Sequence, residues 1–414
     1  MAIFLFILYF ALIIWVFRAL DLHGKTNLSY VLLVALFALK VSYGCLNLYF
    51  HYSEYIANDA HMYFSSAMSM LADFKNQPSF YLYDWFLNWG DIGAHLNFLD
   101  KANSVYWSDV GRLLHQRFMI LCTVLSFGHE YVNVLFYNAF FFIGCLALYK
   151  SFLFFKPNQK WLFLIIIFLI PSISFWCSGI HKDGFILSLI GLVSWSCISF
   201  FKDKTIKNGV VLVFLLLLMF AFRYFYFLIF LPFFLLYLVT RNRPKNGLYF
   251  LLLAMAGSLG FFFLGSISNK LDVKRIVVNR QQEFLAAKGY SDLGLPALEN
   301  SVSSFVKNFP IAIKHIFLEP IPQMGTKIKY DLASLDSILV LILLIVGLFY
   351  IKKKFCNNAY LWVLLYYSIF ILIFIGYTIP NLGAIVRYES PFICLLLLTI
   401  FAMGNATVKK LPLE

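Results

Sequence analysis

Residues 209–239 read GVVLVFLLLLMFAFRYFYFLIFLPFFLLYLV, and Arg223 is the one charge in that run. A helix of about 20 apolar residues crosses the roughly 30 Å hydrocarbon layer of a bilayer. The run is therefore read as two spans, 209–222 and 225–239, meeting at Arg223-Tyr224. Similar apolar blocks flank it at 3–17, 28–50, 132–149, 161–175 and 185–201, and again at 247–265, 338–351, 360–378 and 391–403. Composition agrees with this reading. The 414 residues are 62% hydrophobic and 13% charged, with mean hydropathy +0.81, whereas a soluble domain carries about 25% charged residues. The expected fold is an all-α integral membrane protein with about 11 transmembrane helices, forming one domain over 1–414.

Met1-Ala-Ile-Phe4 has no basic region and no small-residue cleavage site follows it, so the first block reads as a retained span. The net charge of +13 would suggest nucleic acid in a soluble protein. In a membrane protein, basic residues collect in cytoplasmic loops instead, and no nucleic-acid partner is expected. The seven cysteines form no CxxC pair, which leaves neither a disulfide framework nor a zinc site.

Charge sets the orientation. The block 113–127 is short and carries His115, Gln116 and Arg117, so it reads as interfacial or re-entrant. With that block uncrossed and the N-terminus outside, the basic connections all fall on the cytoplasmic side. They are Arg18/Lys25, Lys150/Lys156/Lys160, Lys202/Lys204/Lys207, Arg241/Arg243/Lys245 and Lys352/Lys353/Lys354, with Lys409/Lys410 in a cytoplasmic C-terminus. This arrangement requires a hairpin at Arg223-Tyr224, although no Gly, Pro or Asn marks a turn there. Of the 20 acidic residues, all but Asp21, Asp203 and Glu414 then lie outside. Most sit in two large outer loops with interfacial helices, 51–131 and 266–337. Function is expected on that face.

Four outer constellations carry candidate chemistry. In the first loop, Asn58-Asp59-Ala-His61-Met-Tyr63 follows a span closely. Two readings of Asp59 stand together. It is a general base for an acceptor hydroxyl, or Asn58 or Asp59 caps a helix over 61–74. The second is Pro171-Ser-Ile-Ser-Phe-Trp176-Cys-Ser-Gly-Ile-His181-Lys182-Asp183-Gly184. Lys182, Arg223 and Arg387 are the basic residues of short outer connections, against the usual trend. An anionic ligand accounts for all three, and snorkelling to lipid phosphates is the plainer alternative. The third is Pro380-Asn381-Leu-Gly-Ala-Ile-Val-Arg387-Tyr388-Glu389, where an arginine fork suits an oxyanion unless Glu389 neutralises it. The fourth comprises Arg280, Gln281, Gln282 and Glu283, then Phe317 and Glu319, as polar and aromatic groups for sugar recognition or as a solvated helix face. HExxH, Walker, GxSxG and GxGxxG signatures are absent.

These four stretches together resemble the GT-C superfamily of membrane glycosyltransferases, especially bacterial members associated with cell-surface polysaccharide synthesis. The resemblance runs through most of the chain on short motifs, including Phe317-Leu-Glu-Pro320. It implies transfer of a sugar from a polyprenyl-phosphate-linked donor to a glycan or glycolipid acceptor. The site would face outward from the bacterial cytoplasmic membrane, among membrane lipids. It further implies Asp59 as base. A departing phosphate calls for cations, which assigns Arg387 and Lys182, then Arg223, with Tyr388 beside them, to the donor phosphate, and Asp183 to orienting Lys182 or the acceptor. Substrate contacts would come from Asn58, His61, Trp176, Arg280, Glu319 and Asn381. The family's acidic pair is Asn58-Asp59 here, with Glu54 upstream, so a divalent cation is a candidate cofactor and its ligands stay open. Two other classes compete. An O-antigen or exopolysaccharide polymerase would rely more on Arg280 and Arg387, and a lipid-linked sugar flippase would rely on charges at the membrane midplane.

Overall fold

The computed structural model describes residues 1–54, 59–77, 79, 104–243, 246–268, 272–286, 291–320, 328–351 and 358–404, with backbone alone at 51–54, 59, 74–75, 104–109, 246 and 328–332. Among the described residues the structure is helical, with one isolated antiparallel bridge between Asp292 and Asn381. The chain divides into two compact units, Met1–Lys150 with Ser174–Tyr224, and Ser151–Ile173 with Phe225–Glu414.

The first unit contains α1 (Ala2–Ala19), α2 (Leu22–Thr26), α3 (Tyr30–Glu54), α4 (Asp59–Asn76), α5 (Ser104–Leu125), most of α6 (Glu130–Phe155), α9 (Lys182–Asp203) and α10 (Ile206–Phe222). Local chemistry sets the joints. Asp21 and Asn27 bracket α2 in left-handed backbone, and the Asp21 carboxylate accepts the Gly24 N–H. Lys204, also left-handed, ends α9, and the Thr205 hydroxyl accepts from Asn208 N to start α10. Phe185 is the packing hub. Its ring lies 4.8 Å from Phe222, 5.0 Å from Phe141 and 5.1 Å from Phe118, so α9, α10, α6 and α5 meet on it. Between helices in lipid such contacts act through shape, because the tails are as apolar as the side chains. Helix α1 fully buries only Phe17, and Tyr9 and Phe10 pack against Phe136 and Phe37.

The second unit contains α7 (Lys160–Phe168), α11 (Tyr224–Thr240), α12 (Asn246–Ile267), α13 (Val273–Ala286), α14 (Val302–Phe317), α15 (Ile328–Tyr350), α16 (Ala359–Thr378) and α17 (Leu382–Met403). A short helix α8 (Pro171–Trp176) crosses the boundary between the units. Burial orders the spans. The apolar window of α17 is 89% buried and that of α16 61%, against 11% for α12 and 17% for α15. An aromatic core joins α11, α16 and α17, with Tyr367 5.2 Å from Phe230 and 5.6 Å from Phe392.

Eight described helices are long and apolar enough to cross a membrane: α1, α3, α6, α9, α12, α15, α16 and α17. This is a multi-pass helical membrane protein. The remaining expected spans differ in instructive ways. Helices α10 and α11 are apolar but have 17 residues each, about 26 Å at 1.5 Å per residue. They are separated by Arg223, whose φ −153° and ψ 83° end α10. The expected span 161–175 is two helices, because Pro171 lacks an N–H and forces the residue before it out of helical backbone. The last span begins at Leu382, so Arg387, Tyr388 and Glu389 lie within the helix and not in a loop before it. Helix α5 covers 113–125 and is not among the eight.

Candidate functional site

In the first unit, Lys182 opens α9 and is half-buried, with its ammonium 5.9 Å from the centre of the Tyr63 ring. Tyr63 sits on α4, one turn after Asp59, the first residue of that helix. Its ring meets His115 edge-on at 4.6 Å. His115, on α5, is wholly buried, and its Nε2 lies 3.3 Å from the Tyr137 hydroxyl. Burial, then Lys182, then Arg223 lower the His115 pKa from 6.5 to about 3. The imidazole is therefore neutral at physiological pH. Two cations widely separated in sequence thus act on one buried ring.

Glycine packing fixes the second of those cations. A Cβ on Gly111 of α5 would lie 2.4 Å from the Phe222 carbonyl oxygen, so only glycine lets α5 meet the end of α10 beside Arg223. Asp183 follows Lys182 and is 2% exposed. Trp176 is half-buried with its ring 6.1 Å from His181. His61 is exposed on α4. Asn58 and the Asp59 side chain lie outside the described residues. Among the described residues no three His, Cys, Asp or Glu side chains cluster as metal ligands. The side chains of Glu54 and Asp59 lie outside the described residues.

In the second unit a ladder of cations and rings joins α13 to α17. The Arg280 guanidinium lies 4.6 Å from the Phe284 ring and bonds Glu283 Oε2 at 2.5 Å. Phe284 is 6.2 Å from Tyr388. Arg387 lies 4.7 Å from the Tyr388 ring centre, and its Nη2 donates to the Tyr388 hydroxyl at 2.8 Å. The ladder depends on one buried side chain, Gln281. It donates to the carbonyls of Pro296 and Tyr377 and accepts from Leu298 N, tying α13, the 291–299 segment and α16 together. Asn381 caps α17 without a side-chain bond and pairs with Asp292 across the bridge.

Two expectations fare differently. Glu319 forms an ion pair with Lys314 at 3.0 Å, which is the plainer role for an acid in the 317–320 motif. Glu389 does not pair with Arg387 within ion-pair distance. It is 7% exposed, so burial acts on it first, and among the described residues Asp336 on α15, 8% exposed, also acts on it. Asp336 in turn accepts the Ser172 N–H at 3.2 Å.

Sequence reasoning had flagged Lys182 and Arg223 but not Tyr137, Phe284 or Asp336, which carry no local motif. No protein-family model, curated protein or solved structure matches this chain.

Proposed function

We propose that the protein is a membrane glycosyltransferase that moves a sugar from a polyprenyl-phosphate-linked donor to a cell-envelope glycan or lipid acceptor. In this reading about 11 helices cross the cytoplasmic membrane with the N-terminus outside, and the reaction takes place at the outer face. One observation supports the reading most: Lys182 and Arg223 act together on His115, beside Tyr63 and one turn along α4 from Asp59. The acceptor oxygen attacks the anomeric carbon and gives its proton to the Asp59 carboxylate. The bond from that carbon to the phosphate oxygen breaks, and its electron pair stays on the phosphate. Lys182 and Arg223 stabilise the charge that develops there. A neutral His115 adds no competing charge to the cluster.

A second reading is favoured by a specific feature. Arg280 and Arg387 share one aromatic ladder, as expected if a polymerase holds its lipid-linked glycan in the second unit. The deciding experiment supplies radiolabelled polyprenyl-phosphate sugars and acceptor glycolipids to the protein in nanodiscs. Transfer lost on the order of a hundredfold in Asp59→Asn, with the protein still folded, supports the glycosyltransferase. Transfer that survives Asp59→Asn and is lost in Arg280→Ala and Arg387→Ala supports the polymerase. Movement of lipid-linked sugar between leaflets without transfer rejects both in favour of a transporter.

A further inference from the structure

Lys40 stands in the middle of the spanning helix α3 and is 4% exposed. An ammonium at that depth is costly unless its donors are used. Its Nζ donates to the Cys177 carbonyl at 2.9 Å and to the Ser178 hydroxyl at 3.1 Å. Both acceptors are neutral, and they belong to the turn that leaves α8 and leads through His181 into Lys182. The same turn is held by two amides. Asn138 Nδ2 of α6 donates to the Ser178 carbonyl at 2.9 Å, and Asn47 Nδ2 of α3 donates to the Phe175 carbonyl at 3.3 Å. These carbonyls follow a helix end, where the last C=O groups lack intrahelical partners and a cation is favourable.

The fit is tight. A Cβ on Gly44, one turn after Lys40, would lie 2.6 Å from the Ser178 carbonyl oxygen and from Asn138 Nδ2. Any larger residue there pushes the turn off its donors. Hydrogen bonding alone would need only amides at these positions. A full positive charge behind the turn also adds to the field felt by an anion in front of it, because a buried charge is screened less than an exposed one.

We infer that Lys40 is a positioning residue for the Lys182 cluster, fixing the turn after α8 through the Cys177 carbonyl and the Ser178 hydroxyl and raising the positive potential where Lys182 meets an anionic ligand. The inference rests on reading Lys182 as part of an anion site, and needs no sugar chemistry.

The test places a thiol at the site as Lys182→Cys and measures its modification by an anionic and a cationic methanethiosulfonate, against the native chain as background. The ratio of the two rates reports local potential, which a purely structural role would not move. Combining Lys182→Cys with Lys40→Met is expected to lower the anionic-to-cationic ratio about fivefold or more. Lys40→Arg, which keeps charge and donors, restores it. A thiol at exposed Ser69 on α4 keeps its ratio throughout. An unchanged ratio at 182, or an equal fall at 69, overturns the inference. If Lys40→Met does not fold, Asn138→Leu removes one donor from the turn and no charge. Both rates at 182 should then shift together with their ratio kept, and no shift overturns the positioning role. No donor sugar enters the experiment, so its outcome is independent of whether glycosyl transfer is found.

Discussion

Gln281 donates its side-chain amide to the Tyr377 carbonyl at 3.0 Å while its oxygen accepts the Leu298 N–H at 2.7 Å. One buried amide thereby satisfies backbone groups on α16 and on the segment after α13. Gln281→Leu leaves those groups unpaired in a nearly isosteric side chain. Each buried orphan costs about 1–3 kcal/mol. The variant should unfold several degrees earlier in detergent, and amides of 291–299 should exchange faster while those of α9 do not. Uniform exchange across both units would mean that Gln281 is not a local clasp.

The His115 environment makes a prediction about pH. The folded pKa of about 3 lies below the ordinary 6.5, through burial first and then Lys182 and Arg223. The unfolded chain therefore binds the proton more readily than the folded one. Stability from this group is complete above about pH 6.5 and falls as pH drops toward 3. The slope for one proton is at most about 1.4 kcal/mol per pH unit. His315 also has its pKa lowered, by burial, so the native chain must be compared with His115→Gln. The native melting temperature should fall faster between pH 7.5 and 5 than that of the variant. Parallel curves would count against a neutral buried imidazole.

The apolar blocks that became α1, α3, α6, α9, α12 and α16 were legible from length and hydropathy alone, because a bilayer demands both. The break before Pro171 was visible as a residue but masked by apolar sequence on both sides, which looks continuous to any window. The cation pair at His115 was half legible. Lys182 and Arg223 stood out as basic residues in outer connections. Their meeting ring did not, because Tyr63, His115 and Tyr137 come from three helices and only packing brings them together. Lys40 carried a usable signal, an ionisable residue inside an apolar block, but its meaning depends on a carbonyl and a hydroxyl more than a hundred residues away.

Glu389 and Asp336 test the cost of buried acids. Among the described residues neither has a cation within ion-pair distance, and Asp336 acts electrostatically on Glu389. Glu389→Gln keeps shape and removes one ionisable group, so thermal stability should hold or rise. Asp336→Leu removes the acceptor of the Ser172 N–H and should cost about 1–3 kcal/mol. A marked loss of stability in Glu389→Gln would show that the carboxyl holds something an amide cannot.

Gly111 offers the most direct test of how Arg223 is placed. The Phe222 carbonyl oxygen would sit 2.4 Å from a Cβ at 111, and the Ala221 carbonyl oxygen 3.2 Å away. Both are backbone atoms, so neither gives way by changing rotamer. Gly111→Ala must push α5 from the end of α10, and overpacking of this kind costs about 1–3 kcal/mol. Ordinarily Gly→Ala in a helix gains up to about 1 kcal/mol, so the sign itself is informative. Gly257 on α12 has nothing within 4 Å of its Cβ position and serves as the contrasting site. Gly257→Ala should leave melting unchanged or raise it, whereas Gly111→Ala lowers it. Because Arg223 follows Phe222 directly, Gly111→Ala should also weaken retention of an alkyl phosphate by the purified protein, and Gly257→Ala should not. If both alanines behave alike, the close approach of α5 to α10 does not set the position of Arg223, and the cation is placed by the break between α10 and α11 alone.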